Sequence, residues 1–364
     1  MRPSADVYFH APRDFHSALD LRGKVWGDDH PYTSGAYFNW LYGRKPAAEP
    51  QGVLFRRDDG DAIAFVGLVE RRATFEGKST KVGLGFDFMV HPDLPPLSSG
   101  RLAVRMAREW LNLARTLGID FEYHFPNSSS FELFTSKHVG ERLFFIADLL
   151  VRPLRGADPS ERMHPKVPRW ATAAALRAAG AAVSAYARLR IGEGGDIVPV
   201  DDFDEEFDSL YEEAAPQLGF ATVRDREHLR WRYSGHPTNH YETLALRKQG
   251  RLAGYIITVD RALLGARTTL IVDLLVADWR GSATLELVEA ACRAAEARNN
   301  DLVAALAAPG SQFETGLRRA GLLPVPRRFL PRSFPTIGRP FTPETEGLSD
   351  PRRWYFTWGD TDVV

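Results

Sequence analysis

The sequence predicts an α/β (α+β layered) fold of two like units, each a mixed, mostly antiparallel central sheet flanked by helices. Three observations carry this. Alternating apolar segments of strand length run through short turns into long amphipathic helices. The same succession occurs twice, and 364 residues exceed what a single hydrophobic core usually organises. Hydrophobic residues at 44% and charged residues at 26% match an ordinary globular chain rather than a disordered one.

In order, DVYFHA reads as a short strand, and Phe15, Leu19, Leu21 and Val25 mark the apolar face of a helix. QGVLFRR, AIAFVGLVERR and KVGLGFDFMV follow as meandering strands, separated by the turn signals RDDGD and FEGKS. The third strand breaks at HPDLPPLSSG and opens the helix RLAVRMAREWLNLARTLG. The first turn of a helix has unpaired N–H groups and a partial positive charge, so such a junction suits an anion. Next come the strand DFEYHF, a Pro-Asn-Ser turn, a short helix capped by one of the serines, and a closing strand around LFFIADLLVR.

GADPSERMHPKVP is linker-like, and WATAAALRAAGAAVSAYARLR is an Ala-rich connector helix whose small side chains bury too little area to anchor in a membrane. The pattern then repeats. Trp40, Tyr42 and Pro46 match Trp231, Tyr233 and Pro237 at an offset of 191; Gly67 matches Gly254 and Asp87 matches Asp273 at nearly the same spacing. The two tryptophans read as core anchors. The division expected is 1–155, a helical linker 156–195, a second unit 196–334 and an extension 335–364, whose Trp354, Tyr355, Phe356 and Trp358 should dock.

A formal charge of −1 lacks the basic footprint of a nucleic-acid binder. The lone cysteine, Cys292, excludes an intrachain disulfide and reads as a small core residue. No spaced His/Asp cluster, G-x-S-x-G or Walker loop is found, so neither metal, serine-hydrolase nor nucleotide-hydrolysis chemistry is indicated. The N-terminus lacks a signal-peptide core and no stretch approaches a membrane span, so a cytoplasmic monomer or homodimer is expected.

The repeated unit resembles the GCN5-related N-acetyltransferase family. The resemblance rests on FDFMVHP with the helix behind it, on YHFPNSSS, and on the glycine of KHVGERLFF. The family's strand ends in Val-x-Pro and is followed by Arg/Gln-x-x-Gly-x-Gly/Ala, whose N–H groups hold the pyrophosphate of acetyl-CoA. Here Val90, His91 and Pro92 match, but Pro95, Ser98 and Gly100 occupy the loop positions, and a proline supplies no N–H. The resemblance implies a CoA site at Met89, Val90, Ser98, Ser99, Gly100, Arg101 and Asn127, with Arg105 adding charge. The second copy keeps only Arg280, Gly281 and Ser282, so the first is the better site.

It also implies acyl transfer, most simply of an acetyl group, from acetyl-CoA or another acyl-CoA to a primary amine of a small molecule or sugar, with no metal. The candidate catalytic groups are Asp87, Glu122, Tyr123 and His124: His124 or Glu122 as base, Tyr123 as acid. Alternation puts Glu122 and His124 on one face and Tyr123 on the other. Asp87 and Asp273 serve equally as strand-end structure, and Asn127 as a helix cap. The alternatives are a non-catalytic CoA-binding or regulatory protein, and an aminoacyl-tRNA-dependent transferase of the kind that builds peptidoglycan bridges.

Overall fold

The computed structural model describes residues 14–27, 33–43, 51–154, 169–191, 194–263, 265–330 and 333–361. The strand expected at DVYFHA, the linker GADPSERMHPKVP and Pro46 lie outside these. In the first half, helices α1 (Phe15–Trp26) and α2 (Gly35–Gly43) precede strands β1 (Gln51–Arg56), β2 (Ala62–Phe75) and β3 (Lys78–Val90). Helix α3 (Pro96–Thr116), β4 (Phe121–His124), α4 (Ser128–Thr135), β5 (Arg142–Ile146) and β6 (Asp148–Pro153) follow. The Ala-rich helix is α5 (Arg169–Arg190).

The second half runs β7 (Asp196–Pro199), α6 (Glu205–Ala214), β8 (Phe220–Thr222), α7 (Arg226–Leu229), β9 (Glu242–Lys248), β10 (Arg251–Leu263) and β11 (Ala266–Val276). It closes with α8 (Ala283–Ala297), β12 (Leu302–Ala307), α9 (Gln312–Arg319), β13 (Leu323–Pro324) and β14 (Pro335–Pro340). Tight turns connect the meanders where side chains permit. Glu76 and Gly77 join β2 to β3, and Gln249 and Gly250 join β9 to β10, each pair at positive φ as a two-residue hairpin requires.

One sheet has the order β1-β2-β3-β4-β14-β5, the other β7-β9-β10-β11-β12-β6-β13. Within each, the neighbours β3 and β4, or β11 and β12, are parallel and the meander strands antiparallel. Each sheet has an interior strand from outside its own half: β14 lies between β4 and β5, and β6 between β12 and β13. The compact units change hands at Ile146 and again at Pro335, because β6 bonds along β12 and β14 along β4. The expected connector helix, α5, lies against β6 in the second unit, where a side chain on Gly180 would strike the Pro153 carbonyl at 2.7 Å.

Helix α3 covers the first sheet because Leu102, Met106, Trp110 and Leu113 recur every three or four residues and form one buried stripe. That stripe packs on Val53, Val66 and Leu68, with Phe134 of α4 beside it. Burying each such side chain contributes about 1.5–3 kcal/mol. The tail aromatics Trp354, Tyr355, Phe356 and Trp358 are buried, as their apolar area demands. Trp40 and Trp231 are only partly buried; the enclosed anchors of those two segments are Tyr42 and Tyr233.

Cys292 is buried in α8, and burial pushes its thiol up from 9.0 to about 12. Between those values the unfolded chain releases the proton and the folded chain keeps it, so the stability this site contributes below pH 9 declines as pH rises toward 12. At pH 8 the native protein is expected to ignore a disulfide reagent such as DTNB, and to release one equivalent of chromophore once unfolded in guanidinium. A fast stoichiometric reaction of the native state would contradict this burial.

Candidate functional site: the divergent strands and the start of α3

β3 and β4 pair in parallel from Val82 opposite Phe121 to Leu84 opposite Tyr123. There the pairing stops, although β3 continues to Val90 while β2 accompanies it on the other side. The edge of β3 that faces β4 is thus open beyond Leu84. A bulge lies on the same stretch: the register with β2 shifts around Gly67, and Asp87 takes φ +54°.

Asp87 is held there by two partners. Its carboxylate accepts a hydrogen bond from Tyr42 Oη at 3.1 Å and pairs with Arg22 at 3.1 Å, all three buried. Gly67 matters because any Cβ there would occupy the position of the Tyr42 hydroxyl. Burial raises the Asp87 carboxyl from its ordinary value, and Arg22 and Tyr42 pull against it. The second unit builds the same figure: Asp273 accepts from Tyr233 Oη at 2.9 Å and pairs with Arg224 at 3.3 Å. In this ground state Asp87 is therefore a brace of the bulge, with both carboxylate oxygens engaged.

Past Val90 the chain turns through His91 and Asp93 into α3. Pro95 and Pro96 have no N–H, and the Ser99 N–H already donates to the Pro95 carbonyl at 2.9 Å. The first turn therefore directs the Leu97 and Ser98 N–H groups outward, with no side chain capping the helix. A cavity of about 600 Å³ opens at this point, lined by Arg57, Asp93, Ser98, Arg101, Leu102 and Arg105 among others. Arg105 lies over the Phe55 ring, 4.9 Å from its centroid and within the cation–π reach of about 6 Å. Gly100 is exposed inside the helix, with open space where a Cβ would stand.

Of the other expected donor contacts, Met89 is buried in β3 opposite Phe65, Val90 is partly buried, and Ser98, Ser99 and Arg101 are in the first turns of α3. Asn127, rather than one of the serines, caps α4: its side-chain oxygen accepts from the Ser130 N–H at 3.0 Å and from the Ser129 and Ser130 hydroxyls at 2.9 Å each.

The candidate acid and bases on β4 keep the faces that alternation gives them, and all three are buried. Glu122 and His124 do share a face, the one toward α3, where Gly85 leaves room for Trp110 and His124: a Cβ there would be 2.8 Å from Trp110 and 3.3 Å from His124 Cβ. Their polar atoms are sealed from solvent, so neither group reaches an acceptor amine in this conformation. Tyr123, buried on the opposite face, stacks on Phe121 at 5.7 Å.

A residue not singled out in the sequence completes that cluster. Glu141 follows the positive-φ Gly140 after α4, and its carboxylate stands 3.4 Å from His124 Nε2; Glu122 stands 3.5 Å from His124 Nδ1. Burial, then the Glu141 charge, push the Glu122 carboxyl well up, while burial alone takes the imidazole down to about 3. Burial likewise raises Glu141, with Arg339 opposing. The glycine of KHVGERLFF was the only signal of this turn.

The equivalent helix start in the second unit is filled by its own acids. Glu286, in the first turn of α8, accepts the Gly195 N–H at 2.8 Å and pairs with Lys248 at 2.7 Å; Ser282 donates to it at 2.6 Å. Asp278 caps the Arg280 N–H at 2.8 Å. An external anion would meet Glu286 and Asp278 there, whereas at α3 the three arginines of the cavity outnumber its two aspartates, Asp58 and Asp93.

Two mixed sheets, each with a parallel central pair that separates and a helix starting beside the gap, define the fold of GCN5-related N-acetyltransferases. Solved structures agree. The chain is similar to a GCN5-related N-acetyltransferase from Anabaena variabilis (9% identity, 94% of this chain and 73% of that one, TM-score 0.63). It is similar to a probable N-acyltransferase from Enterococcus faecalis (12%, 91% and 70%, 0.59). N-myristoyltransferase of Saccharomyces cerevisiae, solved with bound myristoyl-CoA, also matches (13%, 93% and 83%, 0.57). No family model and no curated protein matches the sequence.

Proposed function

We propose that the chain is an acyl-CoA-dependent N-acyltransferase whose donor site lies in the first unit. The observation that carries this reading is the cavity at the start of α3, lined by Arg57, Arg101 and Arg105 together with Asp58 and Asp93, in the same unit as the open edge of β3. The diphosphate of the donor would be held at the helix start, and its pantetheine amides would add to the β3 edge as another strand. The second unit's acid-filled helix start supports a structural role for that copy.

In the reaction the amine lone pair attacks the thioester carbon, the C–S bond breaks, and the thiolate takes up a proton as the amine loses one. The acyl group is most simply acetyl and the acceptor a small primary amine or an amino sugar. The β3 edge would supply N–H groups to polarise the thioester carbonyl, and Asp87 would act as a positioning residue that fixes the bulge. Because Glu122 and His124 are sealed, the rate enhancement is assigned to positioning and polarisation rather than to a buried base. That same sealing favours a second reading, a protein that binds acyl-CoA without transfer.

Calorimetry of the intact protein with acetyl-CoA and with CoA tests the donor site. Exchanging Arg101 and Arg105 for Glu is expected to weaken binding on the order of ten-fold or more, while Arg280→Glu in the second unit leaves it unchanged. No binding by the intact protein would sink the proposal. Thiol release across a panel of amines separates transfer from binding alone, and the buried Cys292 keeps the background of that assay low.

A further inference from the structure

The Glu122, His124 and Glu141 side chains converge so that one donor atom from each lies within 4.8 Å of the others. Their relative exposures are 0%, 7% and 5%. All four carboxylate oxygens and both imidazole nitrogens are buried, and among the described residues none makes a hydrogen bond. Trp110, at 5.4 Å from the imidazole ring, and Phe134, at 4.3 Å, close the site with hydrocarbon. The nearest cations are committed elsewhere: Arg339 donates to the Val139 carbonyl, and Arg115 lies over the Phe341 ring at 5.1 Å.

Buried carboxylates without partners are strongly unfavourable, so a site of this kind needs a compensating ligand. From this geometry we propose that Glu122, His124 and Glu141 form a structural binding site for one divalent transition-metal ion. The charge of such an ion balances two carboxylates, and a neutral imidazole supplies the third ligand. One nitrogen and up to four oxygens give four- or five-fold coordination without water, which suits a dry pocket. A nitrogen-containing set with so few oxygens favours zinc, cobalt or manganese over calcium or magnesium. The ion would tie the end of β4 to the turn before β5, two segments that the sheet itself separates by β14.

The test uses the full-length, untagged protein, prepared without chelator and desalted. Elemental analysis is expected to find about one transition-metal ion per chain, and removal by dipicolinate under mild denaturant is expected to lower the melting temperature. Refolding with Co²⁺ should give visible d–d absorption that saturates at one equivalent. Glu141→Gln, close in shape to the native side chain, should lose both the ion and the absorption; His124→Ala should do the same if it folds, and the wild-type measurements decide the matter if it does not. Protein that holds no metal as purified, takes up none on refolding with Zn²⁺, Co²⁺ or Mn²⁺, and melts at the same temperature with and without chelator overturns the proposal in favour of protons shared within the cluster.

Discussion

Replacing Arg224 by Met is expected to reduce unfolding free energy by about 3–5 kcal/mol, because it breaks a buried ion pair and strands the charges it served. The guanidinium, 1% exposed, donates to Asp360 at 2.6 Å, to Asp273 at 3.3 Å and to the Thr222 carbonyl at 2.8 Å, and lies 4.8 Å above the Tyr355 ring. Burial already raises the Asp273 carboxyl and Arg224 opposes that rise. Without the arginine the carboxyl moves further up. A raised folded-state value means the protonated form is favoured on folding, with that stability present at low pH and lost as pH rises through the folded value. The deficit of the variant should therefore be smaller near pH 5 than at pH 8, by urea unfolding at both. A deficit that is absent, or that grows on acidification, would contradict the buried-pair account. Adding Asp273→Asn should recover part of the loss at pH 8.

Truncation after Leu330 is expected to abolish cooperative folding. It removes β14 from the middle of the first sheet, where Ile337, Gly338 and Arg339 pair with His124, Tyr123 and Glu122. It also removes the buried Trp354, Tyr355, Phe356 and Trp358 from the second unit. Four such side chains contribute on the order of 10 kcal/mol, comparable with the whole stability of an ordinary domain. Far- and near-ultraviolet dichroism of the truncated chain would decide it; a native-like spectrum with a sharp melt would show β14 to be dispensable.

Much of this architecture was legible in the residues. Strict alternation marked β3, the spacing of Leu102, Met106 and Trp110 marked α3, and the matched Tyr42 and Tyr233, Asp87 and Asp273 occupy like positions in the two units. The arginines that pair with those aspartates were not legible. Arg22 and Arg224 do not keep the spacing of the other matches, and each is one among 46 basic residues. The exchange of β6 and β14 was invisible because a strand's own sequence records which of its faces is buried, not which neighbour it bonds. For the same reason Glu122 and His124 could be assigned a common face but not the seal above it, which depends on Trp110, Phe134 and the turn at Gly140.

The placement of β14 between β4 and β5 has a consequence for the birth of the chain on the ribosome. The second unit's own borrowed strand, β6, is synthesised before the sheet that receives it, but the first sheet must wait for residues 335–340, which emerge long after β5. Until β14 emerges, β4 would carry an unsatisfied row of N–H and C=O groups along the side meant for β14, open to pairing with a neighbouring nascent chain. Its brevity, four residues ending in His124 with Pro126 two positions further on, limits how far any such wrong partner could zip.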